Sequence, residues 1–147
     1  MPMYPEAMIA PMRAELTSIG FEELRTAAAV DDAMRAQPQS STLVVVNSMC
    51  GCAALNARPA IARALQHAVR PETLLTVFAG QDGDATRQAR SYIEGYAPSS
   101  PSLALFKNGE LVYVMERWQI EGRDAGTIAA DLVAAFEEHC AGEAAAR

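Results

Sequence analysis

The chain has 147 residues, half of them hydrophobic and a fifth charged, a composition typical of a single globular domain. Its formal charge of -6 argues against nucleic-acid binding and against a polybasic membrane anchor, because both depend on clustered Lys and Arg. The sequence contains neither an apolar run long enough to span a bilayer nor the start of a secretory signal. We therefore expect a cytosolic protein without nucleic-acid or membrane partners, with one domain over residues 1–140 and a flexible tail over residues 141–147.

The first residues predict two helices separated by a short apolar segment. Apolar side chains recur every three or four residues from Met8 to Ile19, which predicts an amphipathic helix that ends at Gly20. Pro11 falls in the first turn of this helix, where the missing N–H is tolerated. A second helix is expected after Thr26, whose hydroxyl is suited to N-capping.

The chain then alternates between strand-like and helix-like segments. The unbroken apolar run Leu43–Val46 predicts a strand covered on both faces, and Thr73–Phe78 predicts a second one. Between them, Ala53–Val69 predicts a helix kinked at Pro59, whose nitrogen has no proton to donate. The later segments predict a helix Ala85–Tyr92 capped by Asp84, strands Ser102–Phe106 and Leu111–Met115 joined by Asn108-Gly109, and a helix Asp124–His139.

These elements together define the fold class. Strands that alternate with helices pair in parallel, because a crossover connection joins them. An Asn-Gly turn favours an antiparallel hairpin, because both residues accept a positive φ. The sequence therefore predicts an α/β protein with a mixed sheet covered by helices.

The most informative residues are the cysteines, of which there are three. An odd number in a reducing compartment argues against a disulfide framework and favours catalytic, redox or metal-binding thiols. Cys50-Gly51-Cys52 joins a predicted buried strand to the next helix, where unpaired N–H groups and the helix dipole favour a thiolate. At this junction Cys50 lies at the exposed lip and is suited to be the nucleophile, and Cys52 is suited to be the resolving thiol.

The one-residue spacer limits how the two thiols can meet. Side chains two positions apart on a helix point to nearly opposite sides, so Cys50 must lie outside the helix and Gly51 must supply unusual backbone angles. A disulfide across this spacer is expected to be strained and easier to reduce than a C-x-x-C pair. We therefore expect a reduction potential above the value of about −270 mV that is typical of thioredoxin.

Two other interpretations of the cysteines remain open from the residues alone. A cysteine without a chemical role usually packs as a small hydrophobic side chain. Alternatively, Cys50 and Cys52 together with His139 and Cys140 form a plausible tetrahedral set for zinc or cuprous copper.

Several segments resemble known thiol-exchange proteins. Pro101–Glu110 resembles the cis-proline strand and hairpin of thioredoxins, and the chain from Met8 to Cys140 is similar to the bacilliredoxin family with its C-G-C site. The segments that carry this similarity are Val44–Ala54, Ala57–Ala60, Thr76–Asp82, Ala97–Ser102, Glu121-Gly122 and His139-Cys140. Trp118 and Arg123 depart from the family pattern, because we expect histidines at these two positions.

The resemblance implies a thioredoxin-like fold, with a central mixed sheet flanked by helices and an extra N-terminal helix. It implies a thiol-disulfide oxidoreductase that removes bacillithiol, or a similar low-molecular-weight thiol, from S-thiolated cytosolic proteins, with disulfide isomerase activity as well. The roles of nucleophile and resolving thiol carry over to Cys50 and Cys52, and Pro101 is expected to be cis and to face the sulfurs. The expected partners are S-thiolated or disulfide-containing proteins and a recycling reductant. No cofactor or metal is expected beyond the small thiol as co-substrate.

Other residues are assigned supporting roles. Asn47, Gly51 and Ser100 are expected to support the cysteine pair and the proline loop. Arg58 is either a thiolate-stabilising group or a solvated surface residue. Cys140 is either an accessory thiol or part of the helix packing.

Three further side chains have simpler expected roles. Gln81 and Asp82 follow a buried strand and are expected to contact substrate, or in the case of the acid to cap the next helix. Trp118 is expected to cover apolar sheet surface.

Overall fold

A computed structural model describes residues 2–36 and 40–145 of the chain. The described part contains five α-helices and five strands, with a π-helical turn before the third helix and a 3₁₀ turn before the fifth. The helices are α1 Glu6–Thr17, α2 Ala27–Ala36, α3 Arg58–Ala64, α4 Gly83–Ser91 and α5 Ala125–Ala145. The strands are β1 Glu22–Glu23, β2 Ser41–Asn47, β3 Thr73–Phe78, β4 Ser102–Lys107 and β5 Glu110–Met115. No helix in these ranges is both long enough and apolar enough to cross a membrane.

The five strands form one mixed sheet in the order β1-β3-β2-β4-β5. The three strands β1, β3 and β2 are parallel, whereas β4 runs antiparallel to both β2 and β5. At the centre, Val45 of β2 pairs with Thr76 of β3 on one side and with Leu103 of β4 on the other. The predicted mixed sheet flanked by helices, including an N-terminal helix, is confirmed.

The central strand β2 divides the interior into two cores. All seven of its residues are buried, as the unbroken apolar run predicts. Alternate side chains enter opposite faces: Leu43 and Val45 pack with α3 and α5, and Val44 and Val46 pack with α2 and α4. Burying a large aliphatic side chain stabilises a fold by roughly 1.5–3 kcal/mol, so this strand is firmly held.

The first helix begins two residues earlier than its apolar pattern indicates. Pro5 adopts an extended conformation at the N-cap, and the helix runs from Glu6 to Thr17. Pro11 therefore lies inside α1, and the prediction that it occupies the first turn is wrong. The stop at Gly20 is consistent with its φ of 109°, which disfavours other residues.

The helix after the cysteines is interrupted rather than continuous. A π-helical turn spans Ala53–Ala57 immediately before Pro59, which accommodates the proline ring without a regular i to i−4 bond. The helix then ends at Ala64 instead of the predicted Val69. Arg70 donates a hydrogen bond of 2.7 Å to the Leu65 carbonyl, which satisfies one of the terminal acceptors.

The remaining elements follow the predictions closely, apart from their ends. The N-cap of α4 is Asp82 and not Asp84. Asn108 and Gly109 have φ values of 53° and 81°, which confirms the predicted hairpin turn. Helix α5 continues to Ala145, beyond the predicted end at His139. Of the predicted tail, residues 146 and 147 lie outside the described residues.

Candidate active site

The loop that follows β2 positions the two cysteines. Strand β2 ends at Asn47, and Cys50 lies in a bend outside the helix, as the spacing predicts. Cys52 has helical backbone angles, with φ −67° and ψ −26°. Gly51 is already helical and has no positive φ, so the prediction of unusual backbone angles there is wrong. The bend at Met49 and Cys50 reverses the chain before the helix begins.

The sulfur atoms of the pair lie next to each other. Cys50 Sγ is 2.6 Å from Cys52 Sγ and 3.2 Å from the Ser48 hydroxyl. Both cysteines are partly exposed to solvent. The geometry therefore brings together two reachable thiols and a hydroxyl that can donate to a thiolate.

The surroundings of the two thiols differ in their effect on ionisation. Burial raises the pKa of Cys50, but hydrogen bonds from Cys52, Ser48 and the Ala53 N–H, together with the Arg117 charge, bring it below its ordinary value. Burial, the hydrogen bond with Cys50 and the Cys50 charge raise the pKa of Cys52. Cys50 is therefore the thiol that ionises first.

A buried arginine fixes the loop that carries the cysteines. Arg58 is only 3% exposed, and its Nη1 donates 2.9 Å hydrogen bonds to the Asn47 side chain and to the Ser48 carbonyl. Its Nε donates to Glu15 at 3.0 Å. The expectation of a solvated arginine is wrong, and its contacts are with the loop rather than with a sulfur. The Asn47 side chain also accepts from the Ser48 N–H, so Asn47 and Arg58 shape the loop together.

The proline loop lies beside the cysteines. The Ser100-Pro101 peptide bond is cis, as the resemblance implies. The next residue, Ser102, begins β4 and pairs with Val46 near the end of β2. Because β2 and β4 are adjacent and antiparallel, the start of β4 meets the end of β2 at the same edge of the sheet.

An open cleft of about 240 Å³ lies at this edge. One wall is the N-terminal segment, which is held by the bond from the Met3 N–H to the Gly80 carbonyl and by the Gln81 side chain on Tyr4. Gln81 therefore positions the wall of the cleft. The residues that line the cleft are Met3, Tyr4, Ser48, Met49, Cys50, Ala79, Gly80, Ser100 and Arg117.

Arg117 is the residue of this site that sequence reasoning missed. Its Nη1 donates to the Ser100 carbonyl at 3.0 Å, and its Nε donates to Glu121 at 3.0 Å. It lies 65 residues or more from the cysteines along the chain, so no local pattern connects them. The sequence offers one indication of its role: Arg117 directly precedes Trp118 and lies four residues before Glu121-Gly122, a segment that carries the family resemblance.

Two predicted neighbours have other roles. The Asp82 carboxylate binds Arg13 at 2.7 Å and makes no side-chain cap for α4. Trp118 is 71% exposed and donates from Nε1 to Glu116 at 2.9 Å, so the prediction that it covers the sheet is wrong. Trp118 lies in the 3₁₀ turn that follows β5, outside the strands of the sheet. Arg123 binds Asp131, and its carbonyl accepts from Asn56.

The structure does not assemble the alternative metal site. Cys140 is fully buried in the core formed with α3, and His139 pairs with Glu138 at 3.0 Å. Among the described residues, no three His, Cys, Asp or Glu side chains form a group able to hold a metal ion. The four residues of the zinc or copper interpretation are therefore not brought together in the described structure, and burial removes Cys140 from the role of an accessible accessory thiol.

A mixed sheet with two adjacent thiols at the end of a buried strand, at the same sheet edge as a cis Ser100-Pro101 bond, defines a thiol-disulfide oxidoreductase with a thioredoxin-like fold. Thioredoxin O2 of Arabidopsis thaliana has the same fold, with a TM-score of 0.55, 16% identity, and coverage of 82% of this chain and 94% of that one. A Schistosoma mansoni thioredoxin gives a TM-score of 0.52 at 16% identity, with coverage of 78% and 95%.

Sequence comparison gives the family. The sequence model of the family described as disulphide isomerase matches residues 4–140. A bacilliredoxin of Koribacter versatilis is 54% identical over 145 residues, covering 99% of each chain. A Staphylococcus aureus bacilliredoxin is 46% identical over 138 residues, covering 94% of each. The chain belongs to the bacilliredoxin family.

Proposed function

We propose that this protein removes a low-molecular-weight thiol, bacillithiol or a similar compound, from S-thiolated proteins of the cytosol. The observation that carries the proposal is the pair of partly exposed thiols 2.6 Å apart, whose surroundings lower the pKa of Cys50 and raise that of Cys52. This asymmetry suits Cys50 to be the attacking thiol and Cys52 to be the resolving thiol. The relatives named bacilliredoxin support bacillithiol as the small thiol.

In the first step, the Cys50 thiolate attacks the sulfur of the small thiol in the mixed disulfide. A bond forms between Cys50 Sγ and that sulfur, the original S–S bond breaks, and the substrate protein leaves as a thiolate. The Ser48 hydroxyl and the Ala53 N–H stabilise the attacking thiolate before the reaction. The substrate protein is thereby reduced, and the small thiol is carried on Cys50.

In the second step, Cys52 releases the small thiol. After losing its proton, Cys52 attacks Cys50 Sγ, which lies 2.6 Å away in the reduced protein, and the small thiol leaves as a thiolate. The product is a Cys50–Cys52 disulfide, and a recycling thiol reductant must supply two electrons to reopen it. While Cys50 carries the small thiol it holds no negative charge, so a cause of the raised Cys52 pKa is removed.

The neighbouring groups hold this geometry. Arg58 and Asn47 fix the loop before Cys50, and Ser100 lines the cleft beside Cys50. We expect the Ser100-Pro101 segment to offer backbone groups to an extended substrate. Their roles are those of positioning residues.

Mass spectrometry of trapped adducts tests the proposal. The Cys52→Ser variant, treated with a protein carrying bacillithiol as a mixed disulfide, is expected to retain the small thiol on Cys50. A Cys50→Ser variant is expected to form no adduct, and Cys140→Ser is expected to behave like the natural chain. An adduct on Cys140 with Cys50 unmodified overturns the assignment.

Disulfide isomerisation is a second activity, favoured by the description of the matched family. Isomerisation needs only attack by Cys50 and release by another substrate thiol, whereas net removal needs Cys52 as well. The Cys52→Ser variant is therefore expected to refold a scrambled disulfide protein while losing catalytic dethiolation. Loss of both activities in this variant contradicts the isomerase proposal.

A further inference from the structure

Charge is distributed unevenly around the cleft. The protein has a formal charge of -6, which disfavours the approach of anions in general. Apart from the Cys50 thiolate, Arg117 is the only charged side chain among the described residues that line the cleft beside Cys50. The single group that can select a ligand by charge is therefore a cation, placed at the reacting sulfur.

The structure holds Arg117 in place and leaves donors available. Its backbone N–H lies 3.4 Å from the Ser99 hydroxyl, and Nη1 donates to the Ser100 carbonyl at 3.0 Å. Nε and Nη2 both lie 3.0 Å from one oxygen of Glu121. A guanidinium has five N–H donors, and these side-chain contacts use three, so one remains on each terminal nitrogen. Arg117 is thus oriented by the proline loop, while two of its donors have no partner among the described residues.

We propose that Arg117 determines which thiol the enzyme removes, by binding a carboxylate of an anionic low-molecular-weight thiol whose sulfur meets Cys50. This inference deepens the proposed function and rests on it. Guanidinium groups are suited to the role, because two parallel N–H donors match the two oxygens of a carboxylate.

The same contact selects the sulfur that is attacked. A mixed disulfide contains two sulfurs, and attack on the wrong one transfers the substrate protein to Cys50 instead of the small thiol. A carboxylate held by Arg117 places the small thiol's sulfur next to Cys50. The new bond then forms to that sulfur, the old S–S bond breaks, and the electron pair leaves with the protein's sulfur.

A charge series of small thiols tests the proposal. One neutral cysteine peptide is linked by a disulfide to 3-mercaptopropionate, 2-mercaptoethanol or cysteamine, which are anionic, neutral and cationic thiols of similar length. The natural chain is expected to react faster with the mercaptopropionate disulfide than with the cysteamine disulfide. In Arg117→Gln this rate ratio is expected to fall about fivefold, the size of an exposed ion pair. Arg117→Lys is expected to retain part of the preference.

A matched control separates this effect from net charge. Arg35 on α2 also forms an i,i+4 ion pair, with Asp31, and is 74% exposed on its side chain. Arg35→Gln removes the same charge and is expected to leave the ratio unchanged. If Arg117 acts only by stabilising the Cys50 thiolate, Arg117→Gln lowers all three rates by the same factor. If Arg117 binds a carboxylate, Arg117→Gln changes the ratio of the rates. An unchanged ratio in Arg117→Gln overturns the proposal.

Two more arms distinguish the remaining outcomes. If the natural chain reacts with none of the three disulfides, the proposed function fails before Arg117 is tested. If Arg117→Gln slows only a peptide with Asp beside its cysteine, linked to 2-mercaptoethanol, the carboxylate belongs to the protein substrate and the small-thiol proposal is wrong. In the Cys52→Ser background, Arg117→Gln is expected to shift the trapped adduct on Cys50 from 3-mercaptopropionate towards the peptide.

Discussion

Cys50 and Cys52 are two residues apart, yet their surroundings move their pKa values in opposite directions. Cys50 lies outside the helix and accepts hydrogen bonds from its neighbours, whereas Cys52 faces the charge that Cys50 acquires. Chemical identity therefore does not decide which thiol attacks. The decision is made by the Ser48 hydroxyl and the Ala53 N–H beside Cys50, whereas the Arg117 charge lowers the pKa of both thiols.

The Ser48 hydroxyl gives a direct test at this scale. Its hydrogen bond lowers the pKa of Cys50, so Ser48→Ala is expected to move the pH midpoint of Cys50 alkylation upward. At pH 7 the alkylation rate is expected to fall by roughly three- to tenfold, the effect of losing one ordinary hydrogen bond of about 0.5–1.5 kcal/mol. Ser91→Ala removes an exposed hydroxyl on α4 and serves as the control. Equal midpoints for Ser48→Ala and the natural chain contradict this prediction.

The residues that sequence reasoning identified are those within a local motif. Cys50 and Cys52 share one strand-to-helix junction, and the resemblance adds Pro101. Arg58 and Arg117 depend on contacts between distant parts of the chain, as the 43 residues between Arg58 and Glu15 show. Neither the burial of Arg58 nor the proximity of Arg117 to Cys50 can be inferred from spacing.

At the scale of elements, Arg58 connects three parts of the fold. It begins α3 after the π-helical turn, and it binds both the end of β2 and Glu15 of α1. The turn around Pro59 therefore lies next to the residue that holds the cysteine loop. A change in this contact is expected to affect stability and thiol geometry together.

Substitution of Arg58 tests this connection. Arg58→Lys keeps the charge but loses the planar set of donors, and it is expected to lower the free energy of unfolding by roughly 2 kcal/mol. It is also expected to slow dethiolation, because the Ser48 carbonyl loses its partner. Arg63→Lys, on the exposed side of the same helix, is expected to change stability by less than about 0.5 kcal/mol. Denaturant unfolding of both variants measures the difference, and equal losses contradict the prediction.

Helix α5 protects the third cysteine. Cys140 is fully buried, so the native reduced protein is expected to react with two equivalents of a thiol reagent and the denatured protein with three. Reaction of all three thiols at similar rates under native conditions contradicts the burial of Cys140. The Cys140→Ala variant is expected to show two reactive thiols in both the native and the denatured protein, which identifies Cys140 as the thiol that reacts only after unfolding.

Strands were predicted more accurately than the ends of helices. β3 matches its predicted bounds because its apolar residues are bordered by polar turns. At the end of α3, Arg70 binds the Leu65 carbonyl. At the start of α4, the carboxylate of the N-cap residue Asp82 binds Arg13 instead of the helix N–H groups. The Arg13–Asp82 contact joins residues 69 positions apart, which no local pattern contains, and the local Arg70 contact is not visible in the apolar periodicity.

At the scale of the whole molecule, a cluster of charges around the buried Arg13 joins α1 to the edge strand β1 and to the start of α4. Arg13 lies 2.8 Å from Glu6, 3.1 Å from Glu23 and 2.7 Å from Asp82. Glu23 is the least well satisfied, since neither of its oxygens has an aligned hydrogen-bond donor among the described residues. Burial, opposed by Arg13, raises the pKa of Glu23 to about 7.

This raised pKa predicts a pH-dependent stability. A carboxyl group whose folded pKa exceeds its unfolded value of 4.5 contributes stability below pH 4.5 that is lost as the pH rises through about 7. The free energy of unfolding is expected to fall between pH 5 and pH 8 by on the order of 2–3 kcal/mol. Glu23→Gln is expected to remove this decline, and Glu22→Gln, the exposed neighbour on the same strand, is expected to keep it. Parallel pH curves for Glu23→Gln and the natural chain contradict the assignment.

The division of the interior by β2 has a consequence for engineering. Cys52 packs against the core formed with α3 and α5, and Arg58 begins α3, whereas the core under α2 and α4 contains neither. A stabilised variant is therefore best sought among substitutions in the α2–α4 layer, which lies across the sheet from the core that Cys52 contacts. Such a variant is expected to withstand heating better and to keep the exchange chemistry of the original enzyme.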